Sequence, residues 1–321
     1  MIKLENVSKH FGQTKAVNNI SFTVGRGETL ALLGTSGCGK TTTLKMINRL
    51  IAADEGEIYI DGKNTNDRNV YELRKEIGYV MQGVGLFPHY TIAENIAAVA
   101  KLYKWQKNKI DERTRELIQK LRLPESYLGM YPNQLSGGQQ QRVGLARALM
   151  VNPSILLMDE PFGALDNVTR ANIHAEFRDL EELKQKTIVL VTHDVHEAFE
   201  LADRICLMDK GQIVQIGTPK ELLYQPADDF AQQFLDNQRL SLEFKTIRLA
   251  DIWSFLETPE NPHEAETTKH AHASIWEILE KLRKSKNPEF VAIDDSGIKR
   301  VISFPSIANA FNTYQNQLKH G

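Results

Sequence analysis

The chain carries a glycine-rich segment whose residue types and spacing could bind phosphate. Residues 34–41 read Gly-Thr-Ser-Gly-Cys-Gly-Lys-Thr, which fits the pattern G-x-x-x-x-G-K-[ST]. The glycines let backbone N–H groups face phosphate oxygens, and a following helix would add its positive N-terminal end. Lys40 would reach the β- and γ-phosphates, and Thr41 would hold Mg²⁺. The alternative is a chance glycine-rich turn, but an apolar run over 30–33 leads in and a helical run over 42–50 leads out, as phosphate binding requires.

A second segment places two carboxylates at the end of an apolar run. Residues 155–160 read Ile-Leu-Leu-Met-Asp-Glu, the pattern of a buried strand that ends in acids. Asp159 would bind Mg²⁺ through water, and Glu160 would activate a water molecule against the γ-phosphate. Acidic residues also form turns at strand ends, so the segment alone leaves that alternative open. The phosphate-binding pattern upstream makes the turn the minor interpretation.

A third segment, residues 135–139, reads Leu-Ser-Gly-Gly-Gln. As a bare pattern it could be a helix start, with Ser136 as the cap and a glycine hinge behind it. The three segments together, in this order, resemble the ABC-type ATPases, and the pentapeptide is the signature of that family. The resemblance spans roughly residues 1–236 and implies an α/β fold, a P-loop NTPase of ABC type with a helical subdomain. It also implies that one ATP lies between the phosphate loop of one subunit and the signature of another.

The resemblance assigns roles to four further residues. Phe11 matches the aromatic residue that stacks on adenine, with a core aromatic as an equal alternative. Gln82 matches the glutamine that contacts Mg²⁺ and the attacking water and links the site to the membrane partner, unless it is a solvated loop amide. Asp166 matches a loop that communicates across the dimer, although it could merely cap a helix. His193, after an apolar run over 188–191, matches the switch histidine at the γ-phosphate, although a lone histidine is more often structural.

These assignments give a complete expected site for ATP and Mg²⁺. The catalytic residues implied are Glu160, His193, Gln82 and Lys40, and the metal-binding residues are Thr41, Gln82 and Asp159. The residues implied for the nucleotide are Phe11, Gly34, Thr35, Ser36, Gly37, Cys38, Gly39, Lys40, Thr41, Thr42, Ser136, Gly137, Gly138, Gln139 and Asp166. Because the chain has one of each motif, two copies must pair to build a site.

Two stretches, 42–51 and 74–97, are similar to ATPase subunits of importers for glycine betaine, choline, carnitine or proline. There are departures. Residues 53–56 read Ala-Asp-Glu-Gly in place of the usual proline-containing turn, and Gly83 follows Gln82 where the subfamily often has a second glutamine. The resemblance predicts an ATP-hydrolysing importer subunit for a quaternary-amine osmoprotectant. The alternatives are an importer of methionine, a polyamine or a sugar, and, less favoured, an ABC ATPase outside transport.

The same resemblance predicts the partners and the location of the chain. It implies a homodimer under two permease subunits, on the cytoplasmic face of the inner (plasma) membrane as a peripheral protein. A periplasmic or extracellular substrate-binding protein would be an indirect partner, and no nucleic acid is expected.

Composition agrees with these expectations and excludes several classes. The 321 residues suit about two domains. With 39 basic and 41 acidic residues, the net charge of −2 gives no support to a general nucleic-acid binder. No apolar run approaches the roughly 18 residues of a membrane span, and the start lacks the apolar core of a secretory signal. Two cysteines, Cys38 and Cys206, favour a reducing, cytosolic location.

Alternation of apolar and polar residues predicts the elements that must position the site. Strands are expected at 2–7, 20–24, 29–33, 56–60, 77–81, 155–158, 187–191, 205–209 and 212–216. Helical periodicity over about 83–150 predicts a helical insertion. The ATPase domain should end at 236, followed by a linker over 237–273 and a small α+β module over 274–321. That module is similar to one CBS repeat, with a dimer-stabilising appendage as the alternative.

Overall fold

The computed structural model describes residues 1–83, 85–163, 170, 173–174, 176–178, 180–259, 267–269, 271–285 and 287–320, with backbone alone at 267–269, 319 and 320. The chain divides into two compact units, Met1–Ile216 and Gly217–Gly321. Within the described part of the chain, the first unit holds two sheets and two apolar clusters, and the second holds one small sheet and its own apolar cluster.

The N-terminal part of the first unit is an antiparallel sheet. Its strands are β1 (Ile2–Phe11), β2 (Thr14–Val24), β4 (Glu55–Ile60) and β5 (Lys63–Asn64), in the order β2-β1-β4-β5. Ile2, Leu4 and Val7 of β1 are fully or nearly fully buried, which explains the apolar alternation that predicted this strand. β1 continues beyond the predicted end at residue 7 and carries Phe11 at its tip.

The second sheet is the platform for the candidate site. Its strands are β3 (Thr29–Gly34), β6 (Ile77–Val80), β7 (Ile155–Asp159), β8 (Thr187–Thr192), β9 (Arg204–Asp209) and β10 (Gln212–Gly217), in the order β10-β9-β3-β8-β7-β6. The pairs β9-β3, β3-β8, β8-β7 and β7-β6 are parallel. Every residue of β7 and β8 is buried, as expected for central parallel strands covered on both faces. The predicted α/β class is confirmed.

Helices of the first unit flank this sheet and form a helical region. Those whose bounds the structure describes are α1 (Lys40–Ile47), α2 (Val70–Lys75), α3 (Ile92–Leu102), α4 (Lys107–Lys120), α5 (Gly137–Leu149) and α6 (Val195–Leu201). Short 3₁₀ turns lie at Thr65–Asp67, Glu125–Gly129 and Pro132–Gln134. Ile92, Ile96, Leu117 and Val143 bring α3, α4 and α5 into one apolar cluster. Of these helices, α3, α4 and α5 lie within the helical insertion predicted over 83–150.

The second unit is an α+β module. Its helices are α7 (Pro219–Tyr224), α8 (Asp229–Asp236), α9 (Arg239–Thr246), α10 (Leu249–Ile252), α11 (Ile275–Lys284) and α12 (Phe304–His320), with a 3₁₀ turn at Trp253–Phe255. Its strands are β11 (Thr267–Lys269), parallel to β12 (Glu289–Ile293), and β13 (Lys299–Ser303), antiparallel to β12. The order β11-α11-β12-β13-α12 contains the predicted helix–strand–turn–strand–helix sequence over 274–318.

Two predicted boundaries need correction. The first unit ends at Ile216, not at 236, because α7 and α8 belong to the second unit. The predicted linker over 237–273 is not a linker throughout, because α9 and α10 occupy much of it. Leu242, Ile247, Leu249 and Ile252 are fully buried there, and the last three belong to the apolar cluster of the second unit. The polar stretch after residue 258 prompted the linker prediction and hid this apolar face.

No helix among the described residues is long and apolar enough to cross a membrane.

Candidate functional site

Strand register brings the predicted site residues to one edge of the parallel sheet. Leu33 of β3 pairs with Thr192 of β8, Asp159 of β7 pairs with Val191, and Met158 pairs with Val80 of β6. The carboxyl ends of four strands therefore lie side by side. Residues that follow these ends, including Gln82, Glu160 and His193, emerge at the edge where open α/β sheets bind their ligands.

The phosphate-binding segment forms a tight loop between β3 and α1, as its pattern predicts. Gly34 and Gly39 have φ values of +152° and +104°. A Cβ atom would lie 2.1 Å from the Met208 carbonyl oxygen at Gly34 and 2.4 Å from the Ala16 carbonyl oxygen at Gly39. Only glycine fits at these two positions, because a side chain would collide with backbone and the conformation is strained for other residues.

Lys40 is the first residue of α1 and is 5% exposed. Its Nζ donates hydrogen bonds to the backbone oxygens of Gly34 at 2.9 Å and Thr35 at 2.8 Å. The ammonium thus lies inside the loop, where these carbonyl oxygens accept its hydrogen bonds. A phosphate in the loop would offer charged oxygens to the same group, which form stronger hydrogen bonds than neutral carbonyls.

Two contacts that the sequence analysis missed hold the loop, one from the end of the neighbouring strand β9 and one from the turn that follows it. Thr35 Oγ1 donates to Asp209 Oδ1 at 3.0 Å, and the Gly211 N–H donates to the Cys38 carbonyl oxygen at 3.2 Å. Asp209 ends a parallel strand, as Asp159 does, so the argument that singled out Asp159 could have found it. Cys38 itself is buried, with its Sγ 3.7 Å from Lys40 Nζ.

Thr41 and Asp159 place two side-chain oxygen atoms beside the loop, where both could bind a metal ion. Thr41 Oγ1 donates to Asp159 Oδ1 at 2.7 Å. Burial raises the pKa of Asp159, while the Thr41 hydrogen bond and the positive charge of Lys45 act in the opposite direction. A divalent cation at this position would favour the ionised carboxylate that burial disfavours.

The Glu160 carboxylate contacts two side chains that follow the neighbouring strands β6 and β8. Gln82 Nε2 donates to Glu160 Oε2 at 3.1 Å, and His193 Nδ1 lies 3.3 Å from the same oxygen. Glu160 adopts a positive φ of +44°, and its N–H donates to the Val191 carbonyl oxygen at 3.0 Å. The chain therefore turns sharply after Asp159, so the two adjacent carboxylates take different partners. Strain of this kind is often found at functional sites.

The signature segment begins helix α5 with a capping box. Ser136 is the N-cap, its Oγ accepts from the Gln139 N–H at 3.4 Å, and the Gln139 side chain accepts from the Ser136 N–H at 2.8 Å. Gln139 Nε2 also donates to the Tyr127 hydroxyl at 3.3 Å. Among the described residues, none of these bonds reaches the phosphate loop. Ser136 and Gly137 are exposed, so they can face a separate molecule.

The remaining predicted nucleotide residues have diverse environments. Phe11 is 51% exposed at the tip of β1, so the core-aromatic alternative is wrong. Lys9 Nζ lies 5.6 Å from the Phe11 ring centroid. Ser36 and Gly37 are exposed on the loop, Thr42 is half-buried in α1, and Gly138 is buried in α5. Asp166 lies outside the described residues.

The residues present fit a nucleotide with a magnesium ion. Mg²⁺ prefers oxygen ligands and is held by one or two protein groups plus substrate phosphates and water. The Thr41 hydroxyl and the Asp159 carboxylate are such a pair, beside a loop with a buried lysine and backbone that only glycine can form. The helix N-terminus at Lys40 adds positive potential at the same place.

Comparisons with known proteins agree with this geometry. The family model described as "ABC transporter" matches residues 17–163. The choline transport ATP-binding protein OpuBA of Bacillus subtilis is 52% identical over 241 residues, covering 75% of this chain and 63% of that protein. The glycine betaine uptake system ATP-binding protein YehX of Escherichia coli is 50% identical over 248 residues, covering 77% of this chain and 80% of that protein. The chain thus spans under two thirds of the length of some curated relatives it matches.

A solved structure supports the same relationship. The dimeric structure of a post-hydrolysis state of the ATP-binding cassette MJ0796, bound to ADP and Pi, matches with a TM-score of 0.61 and 37% identity. The match covers 68% of this chain and 98% of that chain. Together with the site geometry, these similarities show that the chain belongs to the ABC transporter family, as an ATP-binding protein.

Proposed function

We propose that this chain is the ATP-hydrolysing subunit of an importer for a quaternary-amine osmoprotectant such as choline or glycine betaine. The observation that carries the proposal is the convergence of Lys40, Thr41, Asp159 and Glu160 at one sheet edge. The solute class is supported by identities of about half to proteins named for choline transport and glycine betaine uptake. The site residues bind ATP in this proposal and not the transported solute, so the solute class follows from these similarities.

Each residue at the edge has a chemical task in this proposal. Lys40 and the loop N–H groups bind the β- and γ-phosphates of ATP. Thr41 and Asp159, with Gln82 nearby, would hold Mg²⁺, which would neutralise charge on the phosphate oxygens. Glu160 accepts a proton from the attacking water. Gln82 and His193 would hold the Glu160 carboxylate in place, since both contact its Oε2 atom.

We further propose that the working form is a homodimer. The signature residues Ser136, Gly137, Gly138 and Gln139 have no hydrogen bond to their own phosphate loop among the described residues, and the capping box presents Ser136 to the exterior. In a dimer they would contact the γ-phosphate of the ATP held by the other subunit. Phe11, exposed at the tip of β1, is the candidate for stacking on adenine.

The surface for the permease subunits is proposed at residues 87–91. Asn95 is fully buried, and its Nδ2 donates to the carbonyl oxygens of Phe87, Tyr90 and Thr91 at 3.0–3.1 Å. This fixes the loop while the Phe87 and Tyr90 side chains remain 49% and 45% exposed. A rigid loop with exposed aromatic rings, close in sequence to Gln82, could transmit closure of the site to a membrane partner. The chain would then lie on the cytoplasmic face of the plasma membrane, with a substrate-binding protein as an indirect partner.

The second unit is proposed to regulate or to dimerise and not to hydrolyse ATP. All of the nucleotide motifs lie before residue 200, within the first unit. The order β11-α11-β12-β13-α12 is similar to one CBS repeat, and a dimer-stabilising appendage remains the alternative.

The experiment is reconstitution of the chain with its permease subunits in proteoliposomes that contain ATP. We expect uptake of labelled choline or glycine betaine above that of methionine, a polyamine or a sugar. Phe87→Ala should reduce permease-stimulated ATP turnover, whereas Tyr71→Ala, at a side chain 71% exposed on α2, should not. ATP turnover without uptake of any quaternary amine would contradict the solute class, and failure to purify with a permease would contradict the transport function.

A further inference from the structure

We propose that Glu197 is a positioning residue for the ATPase reaction, which holds His193 against Glu160 through the hydroxyl of Thr192. Glu197 lies in the first turn of α6 and was not singled out by the sequence. The inference rests on the proposed function of His193 at the site.

Hydrogen bonds on both sides fix the backbone of His193. Thr192 Oγ1, just before His193, donates to Glu197 Oε2 at 2.9 Å. The same Oγ1 accepts from the Asp194 N–H, just after His193, at 2.9 Å. Thr192 is 2% exposed and ends strand β8, so the hydroxyl links the sheet to both neighbours of the histidine. The backbone of His193 therefore has little freedom to move.

Helix α6 is fixed at the same place. Asp194 is its N-cap, and Asp194 Oδ1 accepts from the N–H groups of His196 at 2.9 Å and Glu197 at 3.3 Å. Asp194 Oδ2 accepts from Arg170 Nη1 at 2.9 Å. The anchor for Thr192 is thus a side chain on a helix whose own start is fixed, and not a mobile surface group.

Burial makes the carboxyl group of Glu197 informative. Glu197 is 3% exposed, and its Oε1 has no hydrogen-bond partner among the described residues. Burial raises the pKa of Glu197 to about 8; the charges of Asp194 and Glu160 act in the same direction, and Thr192 and Arg170 oppose them. Burying a carboxyl group with one unused oxygen costs free energy relative to an apolar side chain of similar size. That cost at this position points to a function for the one hydrogen bond that Glu197 makes to Thr192.

The consequence lies at the catalytic carboxylate. The His193 side chain is 59% exposed, so packing does not hold it, yet its Nδ1 lies 3.3 Å from Glu160 Oε2. The position of the ring follows from the backbone that the Glu197–Thr192 bond fixes. Small displacements of a reacting group can lower a rate by orders of magnitude, so loss of this bond should reduce kcat and leave ATP binding intact.

The test compares variants of the full chain by steady-state and single-turnover ATP hydrolysis. Glu197→Leu removes the acceptor, and Glu197→Gln keeps an uncharged acceptor for Thr192. We expect Glu197→Leu to lower kcat about tenfold with KM for ATP within about twofold, and Glu197→Gln to restore most of the rate at pH 7. The matched control is Glu243→Leu, at a 3% exposed glutamate of the second unit, which should leave kcat unchanged.

A double-variant cycle separates this inference from the function proposed for His193. If Glu197 acts through His193, Glu197→Leu in a His193→Ala background should lower kcat no further. A full additional loss there, or a folded Glu197→Leu with wild-type kcat, overturns the inference while the His193 assignment stands. Wild-type kcat in His193→Ala overturns both. If Glu197→Leu does not fold, Thr192→Val replaces it, because this variant removes the hydroxyl that links Glu197 to both neighbours of His193. Thr192→Val should lower kcat about tenfold with little change in KM, and a folded Thr192→Val with wild-type kcat overturns the inference.

Discussion

His193 Nδ1 lies 3.3 Å from Glu160 Oε2, the oxygen to which Gln82 Nε2 also donates at 3.1 Å. These residues follow three different strands, β8, β7 and β6, which are neighbours in the parallel sheet. Movement of Gln82 or His193 at its strand end would therefore alter a contact with the Glu160 carboxylate. This coupling is the structural basis on which hydrolysis could be linked to movement elsewhere in the molecule.

Removal of the Asp159 carboxylate should weaken magnesium-dependent nucleotide binding. Asp159→Asn keeps the size of the side chain and can still accept from Thr41, but it loses the negative charge that a divalent cation requires. Fluorescent ATP binding should lose most of its dependence on Mg²⁺ and weaken by about tenfold or more. Wild-type protein in EDTA should behave like the variant, and an unchanged Mg²⁺ dependence in Asp159→Asn would contradict the metal assignment.

Alkylation of Cys38 should block ATP binding, and ATP should protect the thiol. The thiol is 2% exposed and lies within the phosphate loop, 3.7 Å from Lys40 Nζ. A maleimide can reach this buried thiol only when the loop opens, and the adduct would then keep the loop from closing around phosphate. The measurement is the labelling rate by mass spectrometry with and without saturating ATP.

Two controls accompany the Cys38 prediction. Cys206 is fully buried and burial raises the pKa of its thiol, so it should stay unlabelled in both conditions. Cys38→Ser should retain ATP turnover within a few fold. Equal labelling rates with and without ATP would contradict the prediction.

Ionisation of Glu197 should lower the free energy of unfolding as pH rises toward 8. Its pKa is about 8 in the folded chain, against roughly 4.3 for an unfolded glutamate, so the folded state binds the extra proton between these values. Stability from this group is present below the unfolded pKa and is lost as pH rises to the folded pKa, on the order of a few kcal/mol in total. Glu197→Gln cannot titrate. Urea midpoints at pH 6 and pH 8.5 should therefore fall less in Glu197→Gln than in the wild type, and equal falls would contradict this.

Much of the fold could be predicted from the sequence because the parallel strands are buried on both faces. Strands β7 and β8 contain the unbroken apolar runs 155–158 and 188–191, with no charged residue inside either run. The boundary at residue 236 was wrong because α7 and α8 look like a continuation of the α/β domain. Their partners are distant in sequence: Lys220 of α7 forms an ion pair with Asp251 at 2.6 Å, and Tyr224 packs against the apolar cluster of the second unit. Only tertiary contacts assign a helix to one unit or the other.

The site residues that belong to motifs could be identified in the same way, but their supports could not. Gly34, Lys40, Asp159 and Glu160 lie at fixed positions relative to strands, so pattern and position suffice. Glu197 is different, because a glutamate in the first turn of a helix usually caps or faces solvent. Its burial depends on how α6 packs against β3 and β8, which sequence periodicity over so short a helix does not reveal.

Removal of the second unit should leave basal ATP turnover within a few fold. The two units have separate apolar clusters, so the cut belongs after Ile216, and a cut at residue 240 would expose the buried faces of α7 and α8. Turnover of residues 1–216 should lose its response to salt or to a ligand of the second unit. Complete loss of turnover in a truncated chain that is folded by circular dichroism would contradict this division of labour.

The most direct test of the shared ATPase site is size-exclusion chromatography with saturating ATP, alongside hydrolysis rates, for two variants. Glu160→Gln should lose about 10²–10⁴-fold in hydrolysis, because the general base is gone, yet elute as a dimer with ATP bound. Lys40→Ala should elute as a monomer, because the phosphates lose the buried ammonium that binds them. Near wild-type hydrolysis by Glu160→Gln would contradict the assignment of the base. A monomeric Glu160→Gln at saturating ATP would contradict a site built from the phosphate loop of one subunit and Ser136 of the other.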